Sequence, residues 1–197
     1  MVADWLASRS YVDHQNDTFE RVQDGSGQWF LTDQRYEGWL SQRRSNLVLR
    51  GLPGGGKTFL ASIILNDLRD RFDQDVDVLV LHFYNSYTRK REQTALLIMA
   101  SLLRQAFRHD TNRASSVRLL YDEHQTKDRE SRPKLVDIMR CFREVLEGYN
   151  RAFVVIDALD ECHCSESDHL MQRNLFLTNL ATLQLDESTN LSVLVTM

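Results

Sequence analysis

No apolar run in the 197-residue chain reaches the ~18 residues that a membrane-spanning helix needs. No membrane partner is expected. A basic excess is missing as well. The chain has 24 Lys and Arg against 28 Asp and Glu, a net charge of -4, so the long-range attraction that holds nucleic acid or anionic lipid is absent overall. Nucleic acid is not an expected partner either. The opening residues MVADWLASRSYVDHQ lack a basic stretch followed by an apolar one, the mark of a secretory leader, and a cytoplasmic location is expected. Cysteine is scarce and odd in number: three thiols make no disulfide framework and fit a reducing compartment. Cys162, His163 and Cys164 cluster, but no second Cys/His pair follows at zinc-site spacing, so zinc is not expected. Low-complexity segments and internal repeats are also missing.

With 42% hydrophobic and 26% charged residues, the chain is of ordinary globular composition and long enough to bury one sizeable core. Four apolar runs have strand length and β-branched content: Asn46 to Leu49, Val76 to Tyr84, Ala152 to Ile156 and Leu191 to Thr196. Near-continuous apolarity reads as parallel strands buried on both faces. Helical patterns lie over Thr58 to Phe72, Thr94 to Phe107, Ser115 to His124, Lys134 to Leu146 and about His169 to Leu183. Strands alternating with helices predict βαβ units and a parallel sheet covered on both sides. Residues 1–44 read as an irregular, partly helical extension packed on that sheet. It carries a turn signal at Asp24 to Gly27 and a short helix from Asp33 to Leu40, with Thr32 as its N-cap. Residues 45–197 read as the core. The charged stretch Asp128 to Pro133 reads as a solvated loop.

Glycine is also uncommon, eight residues in all, and four of them fall within Gly51 to Gly56. Gly51, four residues, Gly56, Lys57 and Thr58 match G-x-x-x-x-G-K-[ST] between an expected strand and an expected helix, the context this pattern requires. A loop that wraps a triphosphate aims successive backbone N–H groups inward at positive φ, where Cβ atoms obstruct. The following helix adds its unsatisfied N–H groups and positive dipole end. Gly51, Pro53, Gly54, Gly55, Gly56, Lys57, Thr58 and Phe59 are therefore the candidate nucleotide-binding residues, with ATP or GTP as ligand.

Such a site also needs a metal ligand and something to orient water. Phe153 to Asp157 is an apolar strand that ends in a carboxylate, and Asp160 and Glu161 follow within one turn. Ligands of open parallel sheets bind beyond the carboxyl ends of the strands, which brings Asp157 to the edge that carries the glycine loop. Mg²⁺ takes oxygen ligands and keeps several waters. Thr58 and Asp157 are its expected holders, and Asp160 or Glu161 the group that orients an attacking water.

The stretches GLPGGGKT, VVIDALDE and LSVLVT resemble the Walker A, Walker B and sensor 1 segments of NACHT-type signalling ATPases, the STAND class of P-loop NTPases. The chain is more similar still to a fungal group whose N-terminal NTPase module is called nephrocystin-3-like. That likeness extends over Gln15-Asn16-Asp17, Gly25 to Phe30, Trp39-Leu40, Arg91 to Thr94, Leu119 to His124 and Asp157 to Cys162. Ala158 directly after Asp157, where AAA+ ATPases resembling this arrangement place Glu, is the NACHT-like form. The resemblance implies a three-layer α/β/α fold and a switch that is closed with a diphosphate and open and self-associating with a triphosphate, with slow Mg²⁺-dependent hydrolysis as reset. It also implies a fifth strand beside the Walker A strand. No sequence is left for that strand before Met197, so the chain reads as a fragment or shortened product whose Walker A strand lies at a sheet edge.

Two other readings stand beside this one. A P-loop kinase acting on a small acceptor needs an arginine-rich lid, and the acidic DALDE segment argues against it. A degenerate scaffold working by protein association alone is favoured by the missing strand and opposed by intact Lys57, Thr58 and Asp157. Arg89, Lys90 and Arg91 read as a solvated charge cluster. Leu96, Leu97, Met99, Ala100, Leu102 and Leu103 read as the core side of a helix. Trp29 and Trp39 read as packing on the sheet, with the border of a base pocket as the alternative.

Overall fold

The computed structural model describes residues 2–7, 25–85, 93–125, 132–161 and 166–197. The elements run α1 (Val2–Leu6), α2 (Gln28–Leu31), α3 (Gln34–Ser41), β1 (Asn46–Leu49), α4 (Lys57–Phe72), β2 (Val78–Tyr84), α5 (Ala95–His109), α6 (Ser115–Gln125), α7 (Leu135–Glu147), β3 (Arg151–Asp157), a 3-10 turn (Leu159–Glu161), α8 (Glu166–Leu185) and β4 (Leu191–Thr196). The sheet has four strands in the order β1-β4-β3-β2. Every pairing is parallel.

Side chains alternate across a strand, and here both faces are covered. Leu79, Leu81, Phe83, Ala152, Val154, Ile156, Val193 and Val195 face one apolar core with α5, α7 and α8. Val78, Tyr84, Phe153, Val155 and Leu194 face the other with α3 and α4. That two-sided burial is why β2, β3 and β4 are apolar along their length, and it makes the fold a three-layer α/β/α arrangement of the P-loop-like kind. Helix α4 buries Ala61, Ile64, Leu65 and Leu68, the i, i+3, i+4, i+7 stripe of an amphipathic helix. Each fully buried aliphatic side chain contributes about 1.5–3 kcal/mol. Helix α5 is buried almost all round because α1 covers the side turned away from the sheet. There the buried Arg104 donates Nε–H to the Ala3 carbonyl at 3.0 Å.

Both edges of the sheet are strands of interest. On the outer side of β2, the Gln105 side chain accepts from the His82 N–H at 3.1 Å and donates to the His82 carbonyl at 2.7 Å, standing in for a neighbouring strand. Among the described residues no strand pairs with the outer side of β1. Its residues alternate exposed and half-buried beside an apolar groove of about 340 Å³ lined by Leu47, Val48, Leu177, Leu180 and Val195.

Several local expectations change. The cap of α3 is Asp33 rather than Thr32: Asp33 accepts from the Arg35 N–H at 2.8 Å, while the Thr32 hydroxyl bonds back to the Trp29 carbonyl at 3.2 Å. Strand β2 starts two residues later than its apolar run, because Asp75 accepts from the Asp77 N–H at 3.0 Å and its carbonyl takes the Val78 N–H at 3.1 Å, which holds Val76 and Asp77 in a turn. The short helix α1 fits the partly helical extension expected at the N-terminus, with Trp5 set edge-on to Tyr121 and His124 of α6. No described helix is long and apolar enough to cross a membrane.

Candidate functional site

The site is built where the carboxyl ends of β1, β2, β3 and β4 meet the start of α4. After β1 the chain turns sharply through Gly51 to Gly56. Gly54 and Gly56 have φ of 76° and 78°, the left-handed region that side chains with Cβ rarely adopt. A Cβ on Gly55 would lie 3.0 Å from the Leu52 carbonyl oxygen, a backbone atom that cannot easily give way. Glycine is thus required at the three positions by conformation or space. Space around a Cβ at Gly54 or Gly56 is open, so at these two positions the positive φ alone demands glycine.

Helix α4 starts at Lys57 with Gly56 as N-cap, no side-chain cap and no acidic residue in its first turn. Its first N–H groups therefore keep their donor capacity and the positive end of the helix dipole is not neutralised. The Lys57 ammonium folds back over the loop and donates to the Gly51 carbonyl at 2.8 Å and the Leu52 carbonyl at 3.1 Å. Pro53 is exposed on the loop, and Phe59 is exposed on the first turn of α4.

Asp157 ends β3 and is 2% exposed. Burial pushes its carboxyl pKa up, and hydrogen bonds from the Thr196 and Thr58 hydroxyls and the Ala158 N–H, with the Lys57 charge, pull it partly back. Asp157, Thr58 and Lys57 thus lie together, as the sequence pattern requires. Thr196, fully buried at the end of β4, donates to Asp157 Oδ1 at 2.5 Å and accepts from the Ala158 N–H at 2.8 Å. Ala158 itself has φ of 50°, a left-handed non-glycine residue that reverses the chain into the 3-10 turn. At the end of β2, the Asn85 N–H and Nδ2–H both donate to the Asp157 carbonyl, at 3.1 and 2.8 Å.

The acidic pair is placed differently from the rest. Asp160 lies in the 3-10 turn beyond Asp157 and is exposed, and Glu161 closes the same turn. Thr196 and Asn85 are the residues that sequence reasoning misses. Each is an ordinary polar residue at the end of an apolar run, and only the parallel register brings it beside Asp157.

Trp39 is 3% exposed, packs on Phe153 at a centroid distance of 5.1 Å and donates Nε1–H to the Val193 carbonyl at 3.2 Å, so it is a packing residue. Trp29 departs from the expectation of packing on the sheet. It is 66% exposed, with Phe30 edge-on at 5.6 Å, because the four-residue helix α2 turns only Phe30 inward. Arg89, Lys90 and Arg91, and Cys162, His163 and Cys164, lie outside the described residues. Among the described residues no group of three or more His, Cys, Asp or Glu is arranged to hold a metal ion.

The residues present fit Mg²⁺ and a phosphate chain. The loop has room that glycine keeps open, the helix end offers uncapped donors, and Thr58 and Asp157 supply hard oxygen ligands of the type Mg²⁺ takes. A family model described as Nephrocystin 3, N-terminal, matches residues 25–197. No curated protein and no solved structure matches the chain.

Proposed function

The chain belongs to the nephrocystin 3 N-terminal family, and from that premise we propose that it is a nucleoside triphosphate-binding switch module of the NACHT/STAND kind, with slow Mg²⁺-dependent hydrolysis. The observation that carries this reading is the left-handed Gly54 and Gly56 loop opening onto an uncapped α4, with Lys57 and Thr58 gathered at the buried Asp157.

In the proposed mechanism the backbone N–H groups of Gly54 to Thr58 hold the β-phosphate. Lys57 exchanges its two loop carbonyls for β- and γ-phosphate oxygens, an exchange of neutral acceptors for charged ones that favours the bound state. Thr58 and Asp157 would hold Mg²⁺, which when bound neutralises charge on the phosphate oxygens. Thr196 keeps one carboxylate oxygen of Asp157 engaged and so fixes the direction of the other. Asp160 and Glu161 orient the attacking water. Residues 45–197 make up the nucleotide-binding core, and the described residues 25–44 brace it, Trp39 being the clearest contact.

The test is Mg²⁺-dependent binding of labelled ATP and GTP to the purified chain beside Lys57→Ala. Saturable binding lost in the variant supports the reading, and the preferred base identifies the nucleotide. A folded wild-type chain that binds neither overturns it. A second reading, a scaffold that acts by association without turnover, is favoured by the outer side of β1, with which no strand pairs among the described residues. It predicts self-association that is indifferent to nucleotide.

A further inference from the structure

Asn85 stands at the carboxyl end of β2, one strand away from Asp157, and is 4% exposed. Its carboxamide orientation is fixed by chemistry: Nδ2–H donates to the Asp157 carbonyl at 2.8 Å, and a flipped amide would set two acceptors against each other. With Nδ2 so engaged, Oδ1 is buried and has no hydrogen-bond partner among the described residues. Buried side-chain acceptors of folded proteins are nearly always satisfied, and one left open can take a donor from ordered water or a bound ion's water.

The donors that suit this position are specific. Mg²⁺ surrenders its waters reluctantly, and waters polarised by a divalent cation are strong donors whose protons need acceptors. Asp157 Oδ1 is already occupied by Thr196. The fully buried Thr196 hydroxyl is itself spent on Asp157 and the Ala158 N–H. Asn85 Oδ1 is therefore a free neutral acceptor bonded through its own amide to the very residue whose carboxylate would face the ion.

Resting on the Mg²⁺-nucleotide reading above, we infer that Asn85 is an outer-shell residue of that site, its amide oxygen accepting a hydrogen bond from a water on the metal. Asn85 is a positioning residue, acting through the metal's water. The role also explains why a carboxamide serves here. Its NH₂ clamps the Asp157 backbone while its oxygen remains available, a division of labour that Asp or Leu at this position cannot perform.

The experiment compares nucleotide affinity with Mg²⁺ and with EDTA, using labelled ATP and GTP on the full chain and on Asn85→Ala and Asn85→Ser, with folding checked by circular dichroism. The serine variant keeps the backbone N–H bond to the Asp157 carbonyl and a polar side chain but places no acceptor where Oδ1 lies. Outer-shell losses at metal sites run to about 10–100-fold in metal affinity. The gain in affinity on adding Mg²⁺ should fall by about tenfold or more in both variants, with EDTA affinity unchanged. A gain equal to wild type in either folded variant overturns the inference. So does an equal loss with and without metal, which would mark Asn85 as structural. A wild-type chain that binds no nucleotide defeats the functional reading itself, an outcome visible before any variant is made.

Discussion

Thr196 and Asp157 share a 2.5 Å hydrogen bond across the β3–β4 boundary, with the threonine donating and both side chains almost fully buried. The same hydroxyl oxygen takes the Ala158 N–H, so one side chain holds both the carboxylate and the turn that follows it.

Thr196→Val keeps the shape of the side chain and removes both bonds. It takes a hydrogen bond from the buried Asp157 carboxylate and an acceptor from the Ala158 N–H, a loss of about 1–3 kcal/mol in stability. Chemical denaturation should register this as a lower midpoint at unchanged slope. Thr196→Ser should restore most of it, and failure to do so would mean that the methyl packing, not the hydroxyl, matters.

Lys57→Ala should abolish triphosphate binding while changing stability by less than about 1 kcal/mol, because the hydrogen bonds it loses are two to carbonyls of an exposed loop. Fluorescence titration with labelled nucleotide and a thermal melt of the same sample check the two halves. Retained affinity would refute the phosphate-loop assignment.

Binding that requires Mg²⁺ should weaken on acidification at a pH above the ordinary carboxylate range. The sign follows from Asp157: burial raises its pKa in the folded chain, so the folded state takes up a proton earlier than a free carboxyl does, and proton and metal compete for one group. The same shift means that ionised Asp157 opposes folding at neutral pH, and protonation through its folded pKa relieves that. A pH series of Mg²⁺ affinity checks this, and Asp157→Asn should remove the dependence together with the metal enhancement.

Glu161→Gln and Asp160→Asn should leave nucleotide affinity intact and slow phosphate release, if either acid orients the water. Single-turnover phosphate assays distinguish them: the residue whose amide variant slows turnover holds the role, and full activity in both removes it from the acidic pair.

Trp39→Ala should cost about 3–5 kcal/mol, since the indole fills the space over Phe153 and its N–H satisfies the Val193 carbonyl. Denaturation should show it. A small loss would mean that residues 25–44 are only loosely attached to the sheet.

The parts of the fold legible in the sequence are those written locally. The glycine loop is conspicuous because positive φ and close approach at Gly54, Gly55 and Gly56 demand glycine. The strands are conspicuous because burial on both faces demands unbroken apolarity. Among the described residues β1 lies at an edge of the sheet, as the resemblance leads one to expect, whereas the order of the other strands is not written in the sequence. Thr196 and Asn85 are illegible for the opposite reason. A polar residue closing an apolar run looks like the end of a strand, and its partner lies 39 residues away for Thr196 and 72 for Asn85. Thr32 and Asp33 show a smaller version of the same limit: either can cap a helix, and the choice is made by where α2 ends, which lets Thr32 bond backward and leaves Asp33 to face α3.

Gln105 covers the outer side of β2 at His82, and among the described residues no strand pairs with the outer side of β1. A layer with a single receptive flank has a valence of one. Two chains that join strand to strand through β1 use up that flank in each, so growth through it stops at the pair. Sedimentation at rising concentration should find a ceiling at two, and Gln105→Ala, by baring the second flank, should lift it.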